Sequence, residues 1–155
     1  MGSSREQSLG ALDMMPLLVE RLAAGQKVRG LQFSGISMLP MLRQGLDTVT
    51  LSPAPERLKK YDLPLYRRDN GKYILHRIVK TGPSYTCIGD NQFQLEPGVR
   101  PDQIIAVVTS FSRNGREIPV TNPAYQLYCR LWHYSRPVRH FWRRGIGWLR
   151  RHIRK

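Results

Sequence analysis

Three short segments carry residue types that do chemistry together: Ser37-Met38-Leu39-Pro40, a histidine within YILHRIVK at His76, and Gly89-Asp90-Asn91. A serine hydroxyl is too weak an acid to attack a carbonyl unaided and needs a neighbouring base. Imidazole suits that task because its pKa lies near working pH. A buried carboxylate can orient the ring, holding its tautomer and stabilising the imidazolium, or can brace the site. Ser37, His76 and Asp90 are therefore the candidate catalytic set, and they imply neither metal nor cofactor. His76 is the only histidine ahead of the C-terminal tail, which holds His133, His140 and His152. Each segment also has an ordinary structural explanation. Ser37 is expected to cap a short helix, MLPMLRQ, with Pro40 in its first turn. His76 would be a satisfied histidine on an apolar strand face, and Gly-Asp-Asn a turn. A serine at a helix start is compatible with catalysis, because the helix dipole and free N–H groups favour an oxyanion there.

The elements that must position these residues read as mostly β. Residues 9–25 predict a first helix with Leu9, Met14, Leu17, Leu18 and Leu22 near one face. Pro16 marks its first turn, from about Asp13, and Gly25 caps it. From Val28 to Val120 short apolar runs alternate with turn signals: VRGLQFSG, DTVTLS, DLPLYRR, KYILHRIVK, SYTCIG, QIIAVVTSFS and GREIPV. DNG at 69–71, TGP at 81–83 and RNG at 113–115 predict turns. Strand alternation places Ile74, His76 and Ile78 on one face and Leu75, Arg77 and Val79 on the other. After Thr121 the pattern is helical again, divided at Pro137. Val138, Phe141, Trp142, Leu149 and Ile153 fall to one side, and Arg136, Arg143, Arg144, Arg150, Arg151 and Arg154 to the other. The expected organisation is an N-terminal helical segment (1–27), a β-rich domain (28–121) and a basic amphipathic helical tail (122–155).

The 155 residues carry a net charge of +14, which favours an anionic partner. Eight arginines and one lysine, with no acid, lie between Pro123 and Lys155, so the tail holds most of that charge. Three partners suit it. An anionic membrane surface, with Trp142 and Trp148 at the headgroups and Arg136, Arg143 and Arg150 toward phosphate, is the favoured one. Packing on the β body comes next, and nucleic acid is the least favoured. No window nears the ~18 apolar residues of a membrane span, and the N-terminus lacks the basic and apolar regions of a secretory leader. This predicts a cytoplasmic location, peripheral at the inner membrane surface if the tail binds lipid. Cys87 and Cys129 match no metal-ligand spacing and are expected as reduced, buried thiols.

With Ser-Met-x-Pro, a strand bearing His-Arg-Ile and Gly-Asp-Asn in that order, residues 28–112 resemble the serine peptidases that unite type I signal peptidases with LexA-type self-cleaving repressors. Bacterial signal peptidases carry a lysine base on the later strand, and His76 resembles the archaeal and endoplasmic-reticulum branch with its Ser/His pairing. The resemblance implies a β-rich peptidase fold, with Ser34, Gly35 and Met38 bordering the oxyanion and substrate site. It implies a supporting role for Asp62, Gly89 and Asn91. This chain departs from the family in four places. Gly35 stands where some signal peptidases have a serine two residues before the nucleophile as second oxyanion donor, and Ser34 lies three before. The glycine-aspartate turn after the nucleophile is displaced to RQGLDTV, with Asp47 one residue late. Tyr61 stands where a glycine usually precedes the aspartate of the next strand. An amphipathic helix, not a transmembrane one, precedes the serine motif.

The expected activity is therefore a serine endopeptidase acting after small residues in a protein substrate with an exposed extended segment, bound by strand addition. A catalytically silent module of the same fold, targeted by its basic tail, is the alternative from another class. A self-cleaving regulator is the third, since Ala24-Gly25 in LAAGQKV is a bond type that such proteins cut.

Overall fold

The computed structural model describes residues 14–153, and within the last helix the side chains of 144, 145 and 147–153 lie outside the described residues. The chain is mainly β, with antiparallel sheets between an N-terminal helix and two C-terminal ones. Helix α1 (Met15–Ala23) has Pro16 in its first turn and ends at Gly25, whose φ is +79°. A backbone amide without Cβ strain closes the helix there. Only Leu18 and Leu22 of the predicted apolar face are buried; Met14 and Leu17 are exposed, and Leu9 lies outside the described residues.

Nine strands follow among the described residues: β1 (Val28–Leu31), β2 (Thr48–Pro53), β3 (Pro64–Arg67), β4 (Tyr73–Leu75), β5 (Arg77–Lys80), β6 (Tyr85–Ile88), β7 (Glu96–Val99), β8 (Ile104–Arg113) and β9 (Arg116–Pro119). Six form one sheet in the order β1-β2-β8-β3-β4, with β9 also paired to β8. The long β8, rich in β-branched residues, is its spine. Asn114 and Gly115, both at positive φ, turn β8 into β9 as the predicted RNG turn requires. The second sheet is β5-β6-β7. Leu51, Leu65, Ala106 and Val108 are buried in the first sheet. A further core of Leu58, Tyr66, Ile78, Tyr85, Cys87, Val99 and Val107 draws on both sheets.

Two expectations change here. The run YILHRIVK is not one strand: Tyr73–Leu75 pairs with β3 in the large sheet, and Arg77–Lys80 pairs with β6 in the small one. His76 is the residue between them. The alternation predicted across it therefore fails, and Arg77, Ile78 and Val79 are all buried. The segment EPGV, unassigned in the sequence because Pro97 and Gly98 punctuate it, is β7. It lies at the edge of the small sheet, where a proline without an N–H is tolerated.

The chain divides into two compact units, the first running through Val120 and the second from Thr121. In the second, α2 (Pro123–Tyr134) and α3 (Arg136–Ile153) flank Ser135, and Pro137 falls in the first turn of α3. Asn122 caps α2, its side-chain oxygen accepting from the Ala124 and Tyr125 amides. No described helix is long and apolar enough to cross a membrane. Cys87 and Cys129 are buried thiols not joined in a disulfide, and burial pushes the Cys87 thiol up to about 12.

Candidate active site

Ser37 sits in a turn, not at the head of a helix. Leu39 N–H donates to Ile36 O and Leu42 N–H to Met38 O, and the Leu39–Pro40 peptide is cis. The predicted helix cap is thus corrected. Pro40, which was to occupy the first turn of that helix, lies inside the turn sequence, and among the described residues no helix begins at Ser37. Gly35, at φ +108°, bends the chain ahead of Ser37, and its N–H donates to Gln44 Oε1. Behind it, Asp47 closes the loop. Its carboxylate accepts from Arg43 Nε at 2.9 Å and Nη2 at 2.7 Å, and these bonds hold it below the usual carboxylate range.

Ser37 and His76 line the same cavity of about 100 Å³. Ser34, Gly35 and Met38 line it too, with Leu31 from β1 and Tyr73–Leu75 from β4. Met38 is buried there, whereas Ser34 and Gly35 are exposed. Among the described residues neither the Ser37 hydroxyl nor its N–H makes a hydrogen bond, and the Ser34 hydroxyl makes none. The hydroxyl and the imidazole therefore share a cavity without touching, an arrangement common in sites free of substrate. An oxyanion formed beside Ser37 has the Ser37 N–H and the Ser34 hydroxyl as nearby donors.

The buried imidazole has a different partner from the one expected. Tyr66 Oη lies 3.4 Å from His76 Nδ1, and Glu96 Oε2 lies 3.6 Å from it. Tyr66 donates its single proton to Glu96 at 2.7 Å. Toward His76 the phenol oxygen therefore only accepts, which assigns the hydrogen to Nδ1 and leaves Nε2 with a lone pair. Arg68 completes the cluster, gripping Glu96 through Nε and Nη2 at 2.6 Å each. Burial pushes Glu96 up, but the bonds from Arg68 and Tyr66 outweigh it and hold the carboxyl below its ordinary value. Burial, then Glu96, pushes the Tyr66 phenol well above its usual range, so it stays a donor. Burial lowers His76 more than Glu96 raises it, so the ring is neutral at neutral pH.

Asp90, expected behind the imidazole, instead gives both carboxylate oxygens to Arg77. Nε donates at 2.8 Å and Nη2 at 2.7 Å, with both side chains almost wholly buried. Arg77 also reaches Met41 Sδ at 3.1 Å and the Tyr61 carbonyl at 3.2 Å. The pair ties β5 and the Gly-Asp-Asn turn to the loop that carries Ser37. Asn91 acts in the same place: its N–H donates to Ser37 O at 2.8 Å and its Nδ2 to Ile36 O at 3.1 Å. Gly89 lies so close that an added Cβ would stand 2.5 Å from Ser37 O. Its φ is not in the left-handed region, so the requirement is for space alone. Gly-Asp-Asn is the cradle of the Ser37 loop.

Asp62 is a turn residue bracing β5. It accepts from Lys59 N–H at 2.7 Å, and its carbonyl accepts from Ile78 N–H at 2.9 Å. Tyr61, the residue before it, has φ +78°. Its carbonyl accepts from Arg77 Nη1. Of the tail residues, Trp142 and Arg143 are exposed and Arg136 is half-buried; the side chains of Trp148 and Arg150 lie outside the described residues.

Glu96, Tyr66, Arg68 and Arg77 were missed from the sequence. Glu96 is the only acid between Asp90 and Asp102, a faint signal that its Pro-Gly sequel obscured. No protein-family model, no curated protein and no solved structure matches this chain.

Glu96→Gln and Gly89→Ala test these assignments by different routes. Glu96→Gln should lower turnover by roughly 10²–10³-fold, less than the ~10⁴ of a carboxylate bonded directly to the histidine. KM should stay the same, and thermal melting should fall modestly, because the amide oxygen can still accept from Tyr66 but the amide nitrogen cannot accept from Arg68 at this partly exposed pair. Gly89→Ala displaces the Ser37 loop, and a shift near 1 Å costs about 10²-fold in rate. It should leave the pH profile unchanged, which steady-state kinetics across pH will show.

Proposed function

We propose that this chain is a signal-peptidase-like serine endopeptidase of the Ser/His type. The observation that carries the proposal is the shared cavity, in which an unbonded Ser37 hydroxyl faces the same space as an imidazole whose Nδ1 is turned to Tyr66 and Glu96. Ser37 Oγ attacks the peptide carbonyl as His76 Nε2 takes its proton. The tetrahedral oxyanion is held by the Ser37 N–H and the Ser34 hydroxyl. Collapse breaks the C–N bond, and the imidazolium returns the proton to the leaving amine. Water then attacks the acyl-enzyme, with His76 again as base, releasing the acid and Ser37. A β-rich fold of the signal peptidase and LexA type accords with the antiparallel sheets and the order of the motifs.

The substrate is an extended protein segment. The free edges of the large sheet, β1 and β4, both border the cavity, so a peptide laid between them would find backbone partners. A cavity of about 100 Å³ is far smaller than a drug-sized site and suits a small side chain before the scissile bond. The Ala24–Gly25 bond is a poor substrate in cis: it lies in the helix cap, with the Ala24 and Gly25 amides bonded to Glu20 and Leu22 carbonyls.

A library of extended peptides varied at the residue before the bond should be cut after Ala, Gly or Ser at least about tenfold faster than after Phe or Lys. Equal rates, or a preference for the large residues, would overturn the specificity. Mass analysis of the purified protein should show no fragment beginning at Gly25.

Protonation sets the acid limb. The folded pKa of His76 is below its ordinary 6.5, so activity should be flat at neutral pH and fall only below about 6.5. Between the folded and unfolded pKa values the unfolded chain binds more protons, so this histidine's contribution to stability rises with pH and declines as pH falls below 6.5. A rate unchanged from about pH 5 to about pH 9 would remove His76 as the base.

A further inference from the structure

The second unit carries a stripe of exposed large apolar side chains. Leu127, Leu131, Tyr134, Val138, Phe141 and Trp142 are all exposed, with Phe141 at 77% and Tyr134 at 70%. In sequence Leu127 to Phe141 advance by steps of four and three, with Trp142 beside the last, so they fall on one side of α2 and continue along α3. The joint between the helices does not break the line. Ser135 N–H bonds back to Leu131 O and Arg139 N–H to Ser135 O, continuing the helical ladder. Arg139 then locks the corner: Nε donates to Ser135 Oγ, Nη2 to Trp132 O, and the guanidinium lies 3.7 Å above the Trp132 ring.

From the geometry we infer that α2 and α3 form an in-plane anchor for an anionic lipid bilayer. The charge decides between possible occupants. From Pro123 onward the chain has eight arginines, one lysine and no acid. A second copy seated on the stripe would bring basic flank against basic flank with no carboxylate to pair them. A nucleic acid would satisfy the arginines and leave Phe141 and Trp142 in water. A bilayer with anionic headgroups answers both faces, taking the apolar stripe below the headgroups and the arginines at phosphate depth. The anchor is independent of the peptidase proposal, and cleavage assays do not bear on it.

The full chain is mixed with vesicles of pure phosphatidylcholine, and with vesicles carrying about one-third phosphatidylglycerol, and partitioning is read by co-sedimentation and tryptophan emission. Partitioning to the anionic vesicles should be at least about tenfold stronger and should weaken with salt. Phe141→Ser with Trp142→Ser should lower it at least about tenfold. Leu131→Ser, one turn ahead of the joint, should lower it by a smaller factor, with helicity by circular dichroism checked for each variant. Equal or absent binding to the two vesicle types overturns the inference. So does full binding by the Phe141→Ser, Trp142→Ser variant, or by Leu131→Ser. A dimer in sedimentation that these substitutions dissolve, with no vesicle binding by the parent, assigns the stripe to self-association and also overturns it.

Discussion

On the proposed mechanism, Ser37→Ala and His76→Ala should each reduce cleavage by about 10⁴–10⁶-fold, and the double variant should be no worse than either alone, because residues that act as one unit are not additive. The Ser37 hydroxyl has no hydrogen bond among the described residues, so its loss should move stability by no more than about 0.5 kcal/mol. His76 is 4% exposed and packs edge-on to Tyr66 at 6.4 Å between ring centroids. Its truncation leaves a cavity and an unpartnered phenol lone pair, for a cost of about 2 kcal/mol, short of unfolding a domain of this size. Single-turnover kinetics on an extended peptide, beside thermal melts, check both halves. Retained cleavage in either single variant would sink the dyad and leave the silent binding module as the better account.

The second large effect is on stability. Asp90→Ala strands Arg77, a guanidinium at 2% exposure, without its bidentate partner. Breaking such a buried pair costs about 3–5 kcal/mol, which lowers Tm by roughly 6–20 °C at about 2–4 °C per kcal/mol. The pair itself is not a strong stabiliser, because desolvation offsets its attraction. Arg77→Met with Asp90→Leu should therefore recover most of the melting temperature. The rate should stay below the parent's, since the pair braces the Ser37 loop, but well above that of His76→Ala, since Glu96 and not Asp90 stands at the imidazole. A double variant that melts like the parent but is as inactive as His76→Ala would place Asp90 in the catalytic set after all.

The parts legible in the sequence were local ones. Turn chemistry marked the DNG and RNG hairpins, proline and glycine bounded α1, and the apolar-basic periodicity marked the C-terminal helices. Ser37 and His76 line one cavity, and Gly-Asp-Asn touches the backbone of the Ser37 loop without lining it, so the roles of the segments differ from those they suggest alone. Ser-Met-Leu-Pro looks like a helix start because serine and an early proline are good cap residues; packing of Met38 and Met41 into the core makes it a turn instead. The strand through His76 looks continuous because eight residues of β-type composition carry no turn signal. The break is set by pairing partners, β3 for one half and β6 for the other, which lie elsewhere in the chain.

What the amino-acid sequence determined by itself was the inventory and the local geometry: a serine and a single β-body histidine, an amphipathic basic tail without acids, and mostly short strands between glycine and proline turns. These depend on backbone preference and side-chain period, which act over a few residues. Tertiary structure alone decided which carboxylate serves the histidine. Asp90 and Glu96 are six residues apart in sequence. Their placement on either side of β6's pairing sends one to Arg77, whose buried guanidinium must be neutralised, and the other through Tyr66 to His76. A buried charge takes the partner that burial leaves it, and that is fixed only when distant strands have paired.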